Sequence, residues 1–212
     1  MTQAPQRDLR SRSFGQDYTP TPVDRFGVWL SARRMHRASG GFQGMRVADV
    51  GCGYHASFAR TLIPVVRSLV LVDLSLSADL KARPAVRAIE GRLPQALEEI
   101  PTGSLDVVMC NSVVEHLWTP QDTIAELARI TATGGVLLIN VPSWRGKWFL
   151  ELAAFRLGVS PPDEMNDHTM YYDPRDLWPL LRHAGFRPDH IRCFRHKFGL
   201  NTFAVCRKEG DG

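Results

Sequence analysis

Two carboxylates and two glycines carry the first chemical signal in this chain: Asp49, Gly51, Gly53 and Asp73. In the run Val47-Ala48-Asp49-Val50-Gly51-Cys52-Gly53-Tyr54-His55-Ala56, an apolar stretch reaches an acid and then breaks at two glycines one residue apart. Glycine there lets the backbone turn sharply and lets a ligand approach with no Cβ in the way. Gly51, Gly53 and Ala56 satisfy a loose G-x-G-x-x-A pattern, the form of a strand, tight turn and helix that offers backbone N–H groups to a nucleotide. Asp73 closes the next apolar run, Leu69-Val70-Leu71-Val72, and falls 22 residues after Gly51. An acid at that spacing accepts hydrogen bonds from both hydroxyls of a ribose. Two acid–imidazole pairs, Glu115-His116 and Asp167-His168, are the candidates for proton transfer.

Such residues must be held at the ends of strands. Unalternated apolar runs at Leu69–Val72, Leu105–Cys110 and Val136–Val141 predict strands buried on both faces, as parallel sheets require, and a weaker strand is predicted near Val86–Ile89. After the glycine turn, the pairs Phe58/Leu62 and Ala59/Ile63 predict a helix that Pro64 stops. Phe26 and Leu30, with Arg33, Arg34 and Arg37 on other faces, predict an amphipathic helix from Val23 to just before Gly40-Gly41, packed on the sheet edge. Thr119-Pro120-Gln121-Asp122 and Asp173-Pro174-Arg175-Asp176 read as two helix starts, each with a capping side chain before proline and an acid in the first turn. Gly134-Gly135 leads into the Val136 strand, and Gly185 ends the second of these helices. Between strands near Ile191–Arg195 and Thr202–Cys206 lie too few residues for a parallel crossover, so the last strand must return antiparallel. In such an open α/β sheet a ligand lies over the carboxyl ends of the strands, where Asp49, Gly51, Gly53, Asp73 and Asn111 all fall.

The runs Asp49-Val50-Gly51-Cys52-Gly53, Leu71-Val72-Asp73, Leu105-Asp106-Val107-Val108, Glu115-His116-Leu117 and Thr133-Gly134-Gly135-Val136-Leu137 together resemble the class I S-adenosylmethionine-dependent methyltransferases, in their small-molecule branch. The resemblance is specific from about Gly44 to Val141. It implies a Rossmann-like α/β fold: a seven-stranded, mostly parallel sheet with helices on both faces and a C-terminal antiparallel hairpin. It implies S-adenosylmethionine as cofactor, with Asp49 near its ammonium, Gly51, Cys52 and Gly53 at the turn, Asp73 and Leu74 at the ribose end, Leu93 flanking the adenine and Asn111 at the fourth strand's end. Two positions depart from the family pattern. His55 stands where a third glycine is usual, either as a carboxylate contact or as an outward-facing side chain. Arg92 stands where an acid often reads the adenine, leaving Glu90 as a substitute.

Methyl transfer from a sulfonium is an in-line displacement, so the protein supplies alignment, plus a base if the acceptor is a hydroxyl. His168 and His116 are the candidates for that base. Strand four continues as Asn111-Ser112-Val113-Val114, without the Asn/Asp-Pro-Pro-aromatic signature of amino-group methylation on nucleic-acid bases. The acceptor expected is a small molecule, most readily a hydroxyl. The insertion 142–172, with Trp144, Trp148, Phe149, Leu150, Leu152, Phe155 and Leu157, predicts a helix over 146–157. It would roof an apolar part of the acceptor, join two copies in a homodimer, or lie on a membrane surface.

Composition narrows the classes. With 212 residues and 44% hydrophobic content, residues 23–212 are long enough for a single domain. The balance of 26 basic against 22 acidic residues is scattered, Lys197 included, and reads as a solvated surface with no nucleic-acid partner. Cys52, Cys110, Cys193 and Cys206 show no ligand spacing, so no metal is expected and the thiols suit a reduced, cytoplasmic protein. No apolar run has the length of a membrane span. Residues 1–22 lack periodicity and read as a flexible N-terminal arm, or as an arm that closes over the cofactor with Arg12, Phe14 or Tyr18 touching it. Two other functional classes share the features: an NAD-dependent oxidoreductase, disfavoured by the hairpin and Asp49, and a non-catalytic interaction module using the Trp-rich insertion.

Overall fold

The computed structural model describes residues 12–16, 21–148 and 169–209. Seven strands form one sheet: β1 (Arg46–Val50), β2 (Ser68–Asp73), β3 (Val86–Glu90), β4 (Leu105–Asn111), β5 (Thr131–Pro142), β6 (Ile191–His196) and β7 (Asn201–Arg207), in the order β3-β2-β1-β4-β5-β7-β6. The first five pair in parallel, and β7 runs antiparallel to both β5 and β6. The hairpin inferred from the short β6–β7 connection is therefore present. Because β7 runs against β5, its first residues lie beside the carboxyl end of β5, with Asn201 opposite Pro142.

Side-chain alternation divides the core into two layers. Val47, Leu69, Leu71, Val107, Met109, Val136, Leu138 and Phe203 face α1 (Pro22–Ser39) and α2 (Ala78–Lys81), where Met35 and Leu80 complete the cluster. Ala48, Val50, Val70, Val72, Val108, Leu137 and Ile139 face α3 (Pro120–Ile130) and α4 (Pro174–His183), through Ile124, Leu127, Leu177 and Leu181. In both α3 and α4 the buried residues recur three or four apart, the stripe that presses a helix onto a sheet. Each such fully buried Leu or Ile contributes about 1.5–3 kcal/mol.

The structure corrects four local expectations. No α-helix follows the glycine turn: Ala56 is left-handed (φ 43°), Pro64 follows soon after, and only one 3-10 turn, Ala59–Leu62, fits between them. The first helix packs over β4 and β5 on the sheet's face, with Met35 buried, and not on an edge. Thr119 makes no side-chain cap hydrogen bond, whereas at α4 the Asp176 carboxylate accepts the Asp173 backbone N–H at 2.9 Å. β5 starts directly after α3 and contains Gly134-Gly135, which sit at an irregularity in its pairing with β4. Of the expected helix over 146–157, residues 144–148 are helical and 149–157 lie outside the described residues.

Candidate active site

The carboxyl ends of β2, β1, β4 and β5 bring Asp73, Asp49, Asn111 and Asn140 onto the α1 side of the sheet, in phase with Leu71, Val47, Met109 and Leu138. Asp49 is flanked by β2 and β4 and is only 7% exposed. Burial, reinforced by the charge of Asp73, pushes its carboxyl up to about 7. Cys52 is pushed up as well, first by burial and then by the same two acids.

The turn after β1 is built for close approach. Gly51 is left-handed (φ 73°), and a Cβ there would run into Val113 Cγ2. Gly53 is also left-handed (φ 76°), and its N–H donates to Asp73 Oδ2 at 2.7 Å. The Leu74 N–H donates to Asp73 Oδ1 at 2.8 Å. The carboxylate is thus aimed by backbone groups from both sides of the crevice.

Residues 12–16 lie across this turn. The Ser13 hydroxyl is buried and donates to Asp73 Oδ1, while accepting the Ser75 N–H at 2.7 Å. The Tyr54 N–H donates to the Phe14 carbonyl at 2.9 Å, and the Phe14 carbonyl also closes the space above Gly53. Of the three arm residues named as ligand contacts, Arg12 and Phe14 fall in this segment and Tyr18 lies outside the described residues.

The two departures from the family pattern resolve differently. His55 is exposed, with its ring edge against Tyr54 at 4.9 Å, so it is an outward-facing side chain. Glu90 accepts the Leu76 N–H at 2.6 Å and pairs with Lys81 at 3.1 Å, and the Leu76 contact foremost holds its carboxyl below the usual range. It is committed to the loop after β2. Arg92 is exposed, and Leu93 is half-buried against the core.

Across β4 the polar groups are arranged differently. Asn140 is fully buried, donates to Asn111 Oδ1 at 2.8 Å and reaches Ser31 of α1 at 3.4 Å. Its Oδ1 has no hydrogen-bond partner among the described residues. Glu115 is 1% exposed, and its carbonyl accepts both the backbone and hydroxyl hydrogens of Thr169 at 2.8 Å. His116 is half-buried in the 3-10 turn beside it, and His168 lies outside the described residues.

At the β6–β7 turn, Lys197 and Phe198 are both left-handed (φ 49° and 58°), a conformation costing an L-residue about 1–2 kcal/mol. Ser143 holds the turn through its hydroxyl to the Gly199 carbonyl at 2.7 Å and its N–H to the Leu200 carbonyl at 2.9 Å. Lys197, expected as a solvated charge, is instead half-buried. Desolvation lowers its ammonium to about 8, with Glu115 acting in the opposite sense. His196 is lowered to about 4, first by burial and then by the Lys197 and Arg34 charges, and is neutral at physiological pH.

Ser13, Ser31, Asn140 and His196 were not singled out by sequence. Asn140 alone had a legible mark, a polar residue inside the apolar run Val136–Val141. Two surface clefts, about 260 Å³ beside Arg129 and Phe186 and about 350 Å³ beside Arg175 and Arg195, are lined by none of these strand-end residues. Among the described residues no cluster of three His, Cys, Asp or Glu could hold a metal, and no helix is long and apolar enough to cross a membrane.

A glycine turn beside a buried acid, with a second acid aimed by backbone N–H groups at the end of β2, is the arrangement the resemblance implied. The family model for a methyltransferase domain matches residues 25–191. The chain belongs to the class I S-adenosylmethionine-dependent methyltransferases. A protein of Mycolicibacterium smegmatis named as a probable S-adenosylmethionine-dependent methyltransferase is 29% identical over 174 residues, covering 79% of this chain and 60% of that protein. A ubiquinone biosynthesis O-methyltransferase of Ralstonia nicotianae is 28% identical over 158 residues, covering 70% of this chain and 66% of its own length. The chain spans less than two thirds of either relative's length. In fold it is similar to a SAM dependent methyltransferase from Archaeoglobus fulgidus, with a TM-score of 0.62 and 16% identity over 85% of this chain and 94% of that one. Family membership sets aside the NAD-dependent alternative.

Proposed function

We propose that this methyltransferase moves the methyl group of S-adenosylmethionine to a hydroxyl oxygen of a small-molecule acceptor. The observation that carries the cofactor part is the Asp73 carboxylate, held at the end of β2 by the Gly53 and Leu74 N–H groups, with Asp49 buried beside it. The fit is chemical. Asp73 is an acceptor for a ribose diol, Asp49 is a buried anion that an ammonium would stabilise, and Gly51, Cys52 and Gly53 form a cradle where a Cβ at Gly51 has no room. Leu93 would flank the adenine, Leu74 would lie beside Asp73 at the ribose end, and Asn111 would lie toward the reacting end. When bound, the cofactor supplies a methyl group on an already activated leaving group. The chain's own task is to align the acceptor and exclude water.

The choice of oxygen is supported by the Ralstonia relative, whose name states O-methylation, and by the absence of the base-methylation signature after β4. His116 and His168 are the proposed acceptor-side bases. The insertion is proposed to roof an apolar part of the acceptor, starting at Trp144, whose ring lies 5.6 Å from that of Tyr171. A homodimer through the same Trp-rich insertion is the competing use of that surface.

The deciding experiment is calorimetric titration with S-adenosylmethionine, S-adenosylhomocysteine and NAD. Micromolar binding of the first two and none of NAD is expected. Absence of binding by all three would remove the catalytic reading in favour of an interaction module.

A further inference from the structure

The interface between α1 and the sheet is apolar around Met35 and Phe42 but polar toward the N-terminal half of the helix. Gly27, Leu30 and Ser31 recur three and four residues apart, so they share one face of α1. That face meets three side chains from the far half of the sheet. Lys197 Nζ lies 3.7 Å from where a Cβ of Gly27 would stand, the His196 ring hydrogen-bonds the backbone at Leu30, and Asn140 reaches Ser31.

The layer is incompletely satisfied. Asn140 Oδ1 and His196 Nε2 are buried with no hydrogen-bond partner among the described residues. Buried polar atoms are nearly always paired, and each that is not costs about 1–3 kcal/mol. His196 precedes Lys197 in the chain and its ring meets that of Phe203 at 5.6 Å, and Phe203 is the β7 residue paired with Asn140, so the two atoms that ask for hydrogens flank one aromatic ring next to the ammonium's turn. Asn140 is tied directly to Asn111 at the end of β4, so the layer adjoins the place assigned to the reacting end of the cofactor.

We propose that Lys197 is the specificity-determining residue for the acceptor, binding the carboxylate of a hydroxylated acid whose hydroxyl hydrogens are taken by Asn140 Oδ1 and His196 Nε2. The name acceptor rests on the methyl-transfer reading above; the binding site itself does not. The left-handed turn at Lys197 and Phe198 is held by Ser143 through the Gly199 carbonyl, and a Cβ at Gly146 would run into the Leu200 carbonyl, so the insertion's first turn packs against the end of the turn that carries the lysine. With its value near 8 the ammonium stays charged at pH 7, and Arg34, stacked on Phe194 at 5.1 Å, adds a second cation to the layer.

The test uses 3,4-dihydroxybenzoate and its neutral analogue 3,4-dihydroxybenzyl alcohol as calorimetric probes, with S-adenosylhomocysteine saturating. The wild-type protein should bind the acid about tenfold or more tightly than the alcohol. Lys197→Met should erase that difference and leave S-adenosylhomocysteine affinity unchanged, and Lys197→Arg should retain most of it. No preference in the wild type, or a preference that survives Lys197→Met, overturns the assignment. Should Lys197→Met fail to fold, acetic anhydride labelling of the wild-type protein serves instead. Acetylation of Lys197 slowed by the acid and not by the alcohol supports the site, and labelling indifferent to both overturns it. Loss of S-adenosylhomocysteine binding in the wild type would instead count against the cofactor reading, since the probe comparison can be run without it.

Discussion

The two halves of the sheet's carboxyl edge solve opposite problems. Over β1 and β2 the polar groups are acidic, and one of them is internally satisfied: Asp73 accepts from Gly53, Leu74 and Ser13, all within reach of one glycine turn. Over β4, β5, β7 and β6 the buried Glu115 is joined by amide, imidazole and ammonium groups, and Asn140 Oδ1 and His196 Nε2 have no hydrogen-bond partner among the described residues. A preorganised anionic pocket suits a ligand that is always the same. A half-satisfied polar layer with a cation takes its specificity from whatever completes it.

The most damaging change to the first half is expected to be Asp73→Ala. Losing two charge-assisted hydrogen bonds of about 1.5–3 kcal/mol each should weaken S-adenosylmethionine about 10²- to 10⁴-fold by calorimetry, with the fold retained. An unchanged affinity would mean that the nucleoside binds in the other half. Gly51→Ala comes next. Its left-handed backbone and the contact with Val113 should lower unfolding free energy by about 2–4 kcal/mol in denaturant titration. A wild-type midpoint would show that the turn is not the rigid element proposed.

The third prediction concerns pH. The folded-state value of Asp49 is raised, so the stability linked to its proton is complete below about 3.8 and is lost as pH rises to about 7. An ammonium requires the ionised form, so cofactor affinity should climb with pH over the same window. If only the carboxylate binds, the gain from pH 5.5 to 7.5 is about 25-fold. Asp49→Asn should bind weakly with a flat profile, and an unaltered slope in that variant would exclude Asp49. The smallest effect is assigned to Ser13→Ala, which frees one acceptor position on Asp73. Tightening of about two- to tenfold is expected, the net worth of one hydrogen bond, and weaker binding would make Ser13 part of the cofactor site.

The same division marks what was readable from sequence. Asp49, Gly51, Gly53 and Asp73 lie within 25 residues, their placement follows from local backbone geometry, and the short β6–β7 connection dictated the antiparallel strand. Lys197 read as one more surface charge because its burial depends on α1, about 170 residues earlier in the chain. Asn140 stood out in its strand, but its partners Ser31 and Asn111 are assigned only once the sheet order is known. The missing helix after β1 is a local failure of another sort: the 3.6-residue periodicity was real, but Ala56 in a left-handed conformation and Pro64 left it too little length.

The placement of β7 between β5 and β6 has a consequence for synthesis. A ribosome delivers β5 some sixty residues before the strand that covers it, and β6 before β7, its one partner among the described strands. Through that interval the nascent chain presents Val136–Val141, a nearly all-apolar strand, as an open edge, the kind of surface on which unfinished chains stick to one another. The β3-β2-β1-β4 half can assemble while translation continues. The β5–β7–β6 half must wait for residues 201–207 to emerge, and the rate at which that last strand slots home would govern how much newly made protein escapes aggregation.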